Sequence, residues 1–277
     1  ICILASVELE LGYQETAIKL LEDFILKYKD VINDVDKARI YTNLSFYYEA
    51  DKKQDEYLLE AERLNSPFVE TYKGLALTYF SNYEYNKATE DLYKSLKYFE
   101  KALKITNDYE IYFGYAVCLF ETKQYQKAKE IFEELLLEYP NRMRLLLSIS
   151  YCEAYLGNKE KAIYYLKQVK VDQDKNYYLA TDDIHDFQIF EVYYFLEEYD
   201  LFLEECEKVI ESFYFVDWDH YFYTLWLKNE SEKFNKYIDK YKNEMLEAIK
   251  EAKIDDDFSD EEERQDYIKS YKEDLEK

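Results

Sequence analysis

The stretch Tyr112–Pro140, YFGYAVCLFETKQYQKAKEIFEELLLEYP, constrains the fold more than any other part of the chain. Its first half sets Tyr112, Tyr115, Ala116 and Leu119 at helical spacing, and its second half does the same with Tyr125, Ala128 and Phe132 before closing at Pro140. Such spacing puts the apolar side chains on one face of each of two helices. Ala116 and Ala128 are the small residues that let those helices approach closely, while Tyr115, Leu119 and Phe132 fill the seam around them. The pattern also returns: Ala162 follows Ala128 by 34 residues, and Cys152 follows Cys118 by the same 34. A fixed period of that size means stacked helical units that bury a continuous core between neighbours.

This order of residues resembles the tetratricopeptide repeat, a helix–turn–helix unit of about 34 residues. The resemblance is clear over residues 68–174 and degenerate over 1–67 and 175–254. It implies an all-α fold, a right-handed α-α superhelix of about six to seven helix pairs spanning 1–254. An acidic linker and a C-terminal helix are expected to follow over 255–277. Gly12 and Gly157 each stand five residues before the small alanine of a second helix, Ala17 and Ala162, where a turn needs positive φ. Residues 36–67 read as a degenerate unit built on Tyr41, Leu44, Ser45, Tyr48, Tyr57 and Ala61. In 68–107 the second helix is expected to start from Tyr85, Ala88 and Leu92 and to run on through Phe99 and Ala102, seven residues longer than usual. Past 175, Phe202 and Cys206 replace the small and large residues of a second helix. The long charged helix before 254 suits a solvent-facing cap.

Composition narrows the function. The net charge is −24, which argues against nucleic acid and anionic membrane as direct ligands, because phosphate binding needs a basic face. Four glycines and two prolines leave few tight turns, so most of the 33 Tyr and 17 Phe must wedge between helices. Cys2, Cys118, Cys152 and Cys206 all fall in helical patterns and read as buried thiols of a reducing, cytoplasmic compartment. No apolar run reaches the roughly 20 residues of a membrane span. The opening ICILASVELELGYQ lacks Met and already has helical spacing, as the interior of a longer chain would. The bias to Tyr, Lys, Ile and Asn points to an AT-rich bacterial genome.

Little in the chain promises catalysis. His185 and His220 lie beside carboxylates, but 60 Asp and Glu make such adjacency commonplace. The acidic run from Asp255 lacks the Gly and the bidentate Glu of a calcium loop. No Gly-rich phosphate loop or nucleophile elbow occurs. The expectation is therefore no enzyme, no cofactor and no metal, and what remains is binding.

The family resemblance places the first helix of each pair on a concave groove. Projected onto this chain, the groove carries Thr42, Phe46 and Glu49, then Lys73, Leu77 and Phe80. Phe113, Val117 and Phe120 follow, then Leu147, Tyr151 and Tyr155. Some family members grip a peptide carboxylate with Lys, Asn and Arg; here Lys73 and Arg144 stand alone, and Leu77, Val117 and Tyr151 take the places where Asn is wanted. An apolar groove suits an amphipathic or extended hydrophobic protein segment instead. A second candidate surface lies in residues 182–219, with 13 acidic residues against Lys208 alone. Asp186, Glu197, Glu198, Glu204, Glu205 and Glu211 are expected on its surface, facing a basic partner. The expected function is thus a protein- or peptide-binding scaffold, as an adaptor or an immunity-type inhibitor. The alternative is the ligand-sensing part of a larger regulator or multidomain enzyme whose effector domain lies upstream.

Overall fold

The computed structural model describes residues 1–48, 52–169, 186–211, 218–254 and 261–276. Among these residues every regular element is an α-helix, fifteen in all. They belong to two compact units, Ile1–Val169 and Lys170–Lys277.

The first unit opens with α1 (Cys2–Glu10), α2 (Gln14–Tyr28), α3 (Asp34–Tyr47) and α4 (Lys52–Arg63). It continues through α5 (Val69–Asn86), α6 (Thr89–Leu103), α7 (Tyr109–Glu121), α8 (Tyr125–Glu138), α9 (Met143–Tyr155) and α10 (Lys159–Leu166). Each helix packs on the helix before and after it, so the ten form five pairs stacked in chain order. Small side chains sit at the crossings: Ala17, Ala38, Ala61, Ala76, Ala116, Ala128 and Ala162 are all fully buried. Where serine takes such a place its hydroxyl is satisfied, Ser95 donating to the Ala76 carbonyl and Ser150 to that of Ala162, both at 2.8 Å. Gly114 lets the next pair come closer still, its Cα lying against the Phe99 ring.

One turn joins most of the pairs. Gly12 and Gly157 have positive φ as expected, and so do Lys87, Lys123, Glu197 and Asn229 at the corresponding turns. At Lys123 the amide bonds the Phe120 carbonyl at 2.8 Å, and that of Gln124 bonds Leu119 at 2.8 Å. The same double bond recurs at Gly12, Gly157, Glu197 and Asn229. This is the Schellman closure, which satisfies orphan carbonyls at the helix end.

The α5–α6 pair corrects the expected placement of the extra seven residues. Ser95, not Ala88, is the buried small residue of α6, and Phe99 stands four residues on, as Phe132 does after Ala128. Relative to the α7–α8 pair, Ala76 lies four residues further from its turn and Ser95 three further. The insertion therefore adds about one helical turn to each helix and lengthens the hairpin at its tip. Tyr85, expected inside the seam, is 94% exposed on that tip.

The second unit comprises α11 (Asp186–Phe195), α12 (Tyr199–Val209), α13 (Trp218–Leu227), α14 (Ser231–Ala252) and α15 (Glu261–Glu276). The pairs α11–α12 and α13–α14 repeat the arrangement of the first unit, and α15 packs back on α14 through Ile249, Ala252, Ile268 and Tyr271. In α12, Phe202 and Cys206 occupy the small and large positions in exchanged order, and both are fully buried. Exchanging the two keeps the volume at the seam, which helical cores tolerate. The acidic run 255–260 lies outside the described residues.

Candidate binding surface

The first helices of the central pairs stand side by side. Tyr83 on α5 donates its hydroxyl to Glu121 on α7 at 2.8 Å, and that hydrogen bond, with burial, pushes the phenol up to about 12. Arg144 on α9 reaches back to α7, its Nε bonding the Tyr109 hydroxyl at 3.0 Å and its Nη2 both oxygens of Glu110 at 2.8 and 2.9 Å. Most of the residues expected in the groove are at least partly exposed on these helices. Leu77 and Val117 directly follow the buried Ala76 and Ala116, so they hold equivalent places; Leu77 is 50% exposed and Val117 half-buried. Lys73, Phe80, Phe120 and Tyr151 are half-buried and Tyr155 is exposed. Phe120 gathers the aromatics, its ring 5.1 Å from those of Tyr125 and Tyr155 and 6.2 Å from that of Tyr151.

The decisive observation is a match of residues 79–149, spanning α6, α7 and α8 with parts of α5 and α9, to the tetratricopeptide-repeat family. Residues 79–149 carry tetratricopeptide repeats. Two solved structures also resemble it. One is YrrB, described as a tetratricopeptide-repeat protein with an unusual peptide-binding site, at 18% identity and a TM-score of 0.49, covering 70% of this chain and 92% of that one. The other is Naa15/Naa10 bound to HypK-THB, at 14% identity and a TM-score of 0.44, covering 98% of this chain and 38% of that one. No curated protein matches the chain.

Several of the residues expected in the groove do other work. Phe113 is wedged between the Phe132 ring at 5.3 Å and the Arg144 guanidinium at 4.2 Å, so it is part of the inter-repeat packing rather than an open anchor. Arg144 is committed to Glu110, which removes it as a clamp for a carboxylate. Leu147 is only 4% exposed, because α9 is apolar around most of its circumference and is buried on more than one side. Thr42 is buried too, sharing a 2.7 Å hydrogen bond with Thr71 on α5. Phe46 is exposed as expected, and Glu49 lies outside the described residues.

The acidic surface of the second unit is less bare than its sequence implies. Glu205 pairs with Lys208 at 2.7 Å, and Glu211 with Lys240 at 3.1 Å and Lys236 at 3.8 Å. Their neighbours Glu207 and Asp200 pair with Lys233 and Lys228, both at 2.6 Å. A count along residues 182–219 includes Lys208 but misses Lys228, Lys233, Lys236 and Lys240, which come in from later in the chain. Glu197 and Glu204 are exposed and Glu198 half-buried, while Asp186 begins α11. His220 packs its ring 4.0 Å from that of Tyr194, and His185 lies outside the described residues. Among the described residues no group of three or more His, Cys, Asp or Glu is placed to hold a metal ion, and no helix is long and apolar enough to cross a membrane.

Sequence reasoning passed over two features. Glu22 accepts hydrogen bonds from the Tyr48 and Tyr57 hydroxyls at 2.7 and 2.8 Å, tying α2 to α3 and α4. On α13, Tyr223 and Trp226 stack at 5.9 Å in the open. Their helical spacing was visible, but nothing in the sequence says which face of α13 is outward.

Proposed function

We propose that the chain is a non-catalytic, cytoplasmic scaffold whose repeats hold an apolar segment of another protein on the face of α5, α7 and α9. The observation that carries this reading is the row of accessible apolar side chains at equivalent places, Leu77, Val117 and the Phe120–Tyr155 cluster. Such a row matches the i, i+3, i+4 anchors of an amphipathic helix or the alternate side chains of an extended strand. The four free thiols, three of them buried, fit a reducing compartment. The acidic α11–α12 surface adds a second contact for a basic partner, with Glu197 and Glu204 as its outward carboxylates and the half-buried Glu198 beside them. That combination describes an adaptor or an inhibitor of a basic protein.

A random-peptide display selection on the full chain tests the groove. Wild type should enrich apolar-patterned peptides, and a Leu77→Asp, Val117→Asp variant of unchanged helicity should lose them. No enrichment, or enrichment indifferent to the two aspartates, overturns the reading.

A further inference from the structure

The second unit carries an aromatic platform that the groove reading leaves unused. Trp226 is 66% exposed and Tyr223 48%, and their rings lie nearly parallel, 28° apart, at 5.9 Å. The other tryptophan, Trp218, is buried among Tyr221, Phe222, Tyr237 and Tyr241, so it explains the hydrophobic core of the α13–α14 pair and leaves Trp226 without a core role. An open Trp–Tyr stack is a large apolar area left in water, and its position decides what would cover it.

That position is electronegative from several directions. Both rings stand in the last turns of α13, at the negative end of the helix dipole. Asp219 lies four residues before Tyr223 and seven before Trp226, on the same side of the helix, and is exposed. Exposed Glu230 follows the turn directly. The cation within this stretch, Lys228, is held by Asp200 at 2.6 Å. An aromatic face flanked by carboxylates favours a cation with a flat, weakly hydrated surface, which is the arginine guanidinium rather than the ammonium of lysine.

We propose that the Tyr223–Trp226 platform is the docking point for an arginine side chain of a basic protein segment. The guanidinium stacks on Trp226 while Asp219 and Glu230 attract the flanking positive charge. The proposal rests on the reading that the acidic second unit docks a basic partner, and it adds the residue type recognised and the place.

Tryptophan fluorescence of the full chain tests it, since Trp226 is exposed and Trp218 is not. Titration with an arginine-rich peptide should change the emission in a saturable, salt-sensitive manner, with severalfold tighter binding than a lysine-rich peptide of equal charge. Trp226→Ala, followed by anisotropy of a labelled peptide, should weaken the arginine peptide about tenfold, in the range of desolvated cation–π contacts. Tyr223→Ala should weaken it less. Equal affinity for the two peptides, or unchanged affinity in Trp226→Ala, overturns the platform. In those outcomes, loss of binding on charge reversal at Glu197 and Glu204 leaves the basic-partner reading standing; no binding of either peptide to wild type sinks both.

Discussion

The ring of Phe99 lies so close to Gly114 that a β-carbon on the glycine would stand 2.6 Å from Cζ and 2.8 Å from Cε1. Phe99 is nearly fully buried and cannot swing away without opening the α6–α7 contact. Helix propensity alone would favour Gly114→Ala by about 1 kcal/mol. The clash reverses the sign, and the variant should be destabilised by about 1–3 kcal/mol, as overpacked cores are. Gly74 makes a useful contrast, because its β-carbon would meet only the ends of the Leu58 side chain at 3.0 Å. Gly74→Ala should therefore be near neutral. Urea midpoints of the two variants measure the difference, and equal midpoints would refute the inter-repeat contact.

The turn residues support a second prediction. Lys123 and Glu197 adopt φ of 62° and 57°, where a side chain meets the following carbonyl. Lys123→Gly and Glu197→Gly should each raise stability by roughly 0.5–1 kcal/mol, less than the full strain because glycine also loosens the unfolded chain. Gly157→Ala should move the other way by about 1 kcal/mol. A thermal melt of each variant suffices, and a drop for Lys123→Gly or Glu197→Gly would contradict the turn geometry.

Much of this architecture was legible in the chain because Ala116, Ala128 and Ala162 repeat in register. The register failed at the one pair carrying an insertion. There Ala88 offered the expected residue type, while Ser95, a polar residue, was the true seam position. Seven residues is about two helical turns, so either placement keeps the apolar face, and periodicity could not choose between them. The structure chooses through the Ser95 hydroxyl, which satisfies the Ala76 carbonyl and lies 3.3 Å from Cys118 Sγ. Ser95→Leu should therefore cost about 1–3 kcal/mol by overpacking, like Ala128→Leu, and Ala88→Leu should be tolerated. The binding face was harder to read for a related reason. Phe113 and Leu77 are both apolar candidates in the sequence, and only the packing of Phe132 and Arg144 on Phe113 covers one and leaves the other open.

Acid should weaken the first unit through Glu22. Burial raises the pKa of this carboxyl, but the hydrogen bonds from Tyr48 and Tyr57, with Lys53 nearby, outweigh it and hold the pKa below its usual 4.5. A carboxylate with a depressed native pKa contributes stability that is complete above the unfolded value and lost as pH falls through the native one. Wild type should accordingly exceed Glu22→Gln in stability at neutral pH, and the gap should close as pH drops below 4.5. Denaturation midpoints of both proteins across that range check the sign. A gap that widens in acid would show that the two phenols do not stabilise the ionised form.

Phe113 separates packing from binding. Its ring contacts Phe132 on one side and the Arg144 guanidinium on the other, and Arg144 is fixed in turn by its two bonds to Glu110. Removing the ring opens a gap between successive repeats and uncovers the Arg144–Glu110 pair. Phe113→Ala should therefore lower stability by about 2–4 kcal/mol, toward the lower end for a half-buried aromatic. Leu77→Ala removes a side chain that is half in water and should change stability by less than about 0.5 kcal/mol. Binding of a selected apolar peptide should show the opposite order at a temperature where both variants are folded: a clear loss for Leu77→Ala and a smaller one for Phe113→Ala. Urea denaturation and peptide titration of the same two preparations give both rankings. If Leu77→Ala melts early and binds normally, the exposed row on α5 and α7 is structural, and the partner sits elsewhere.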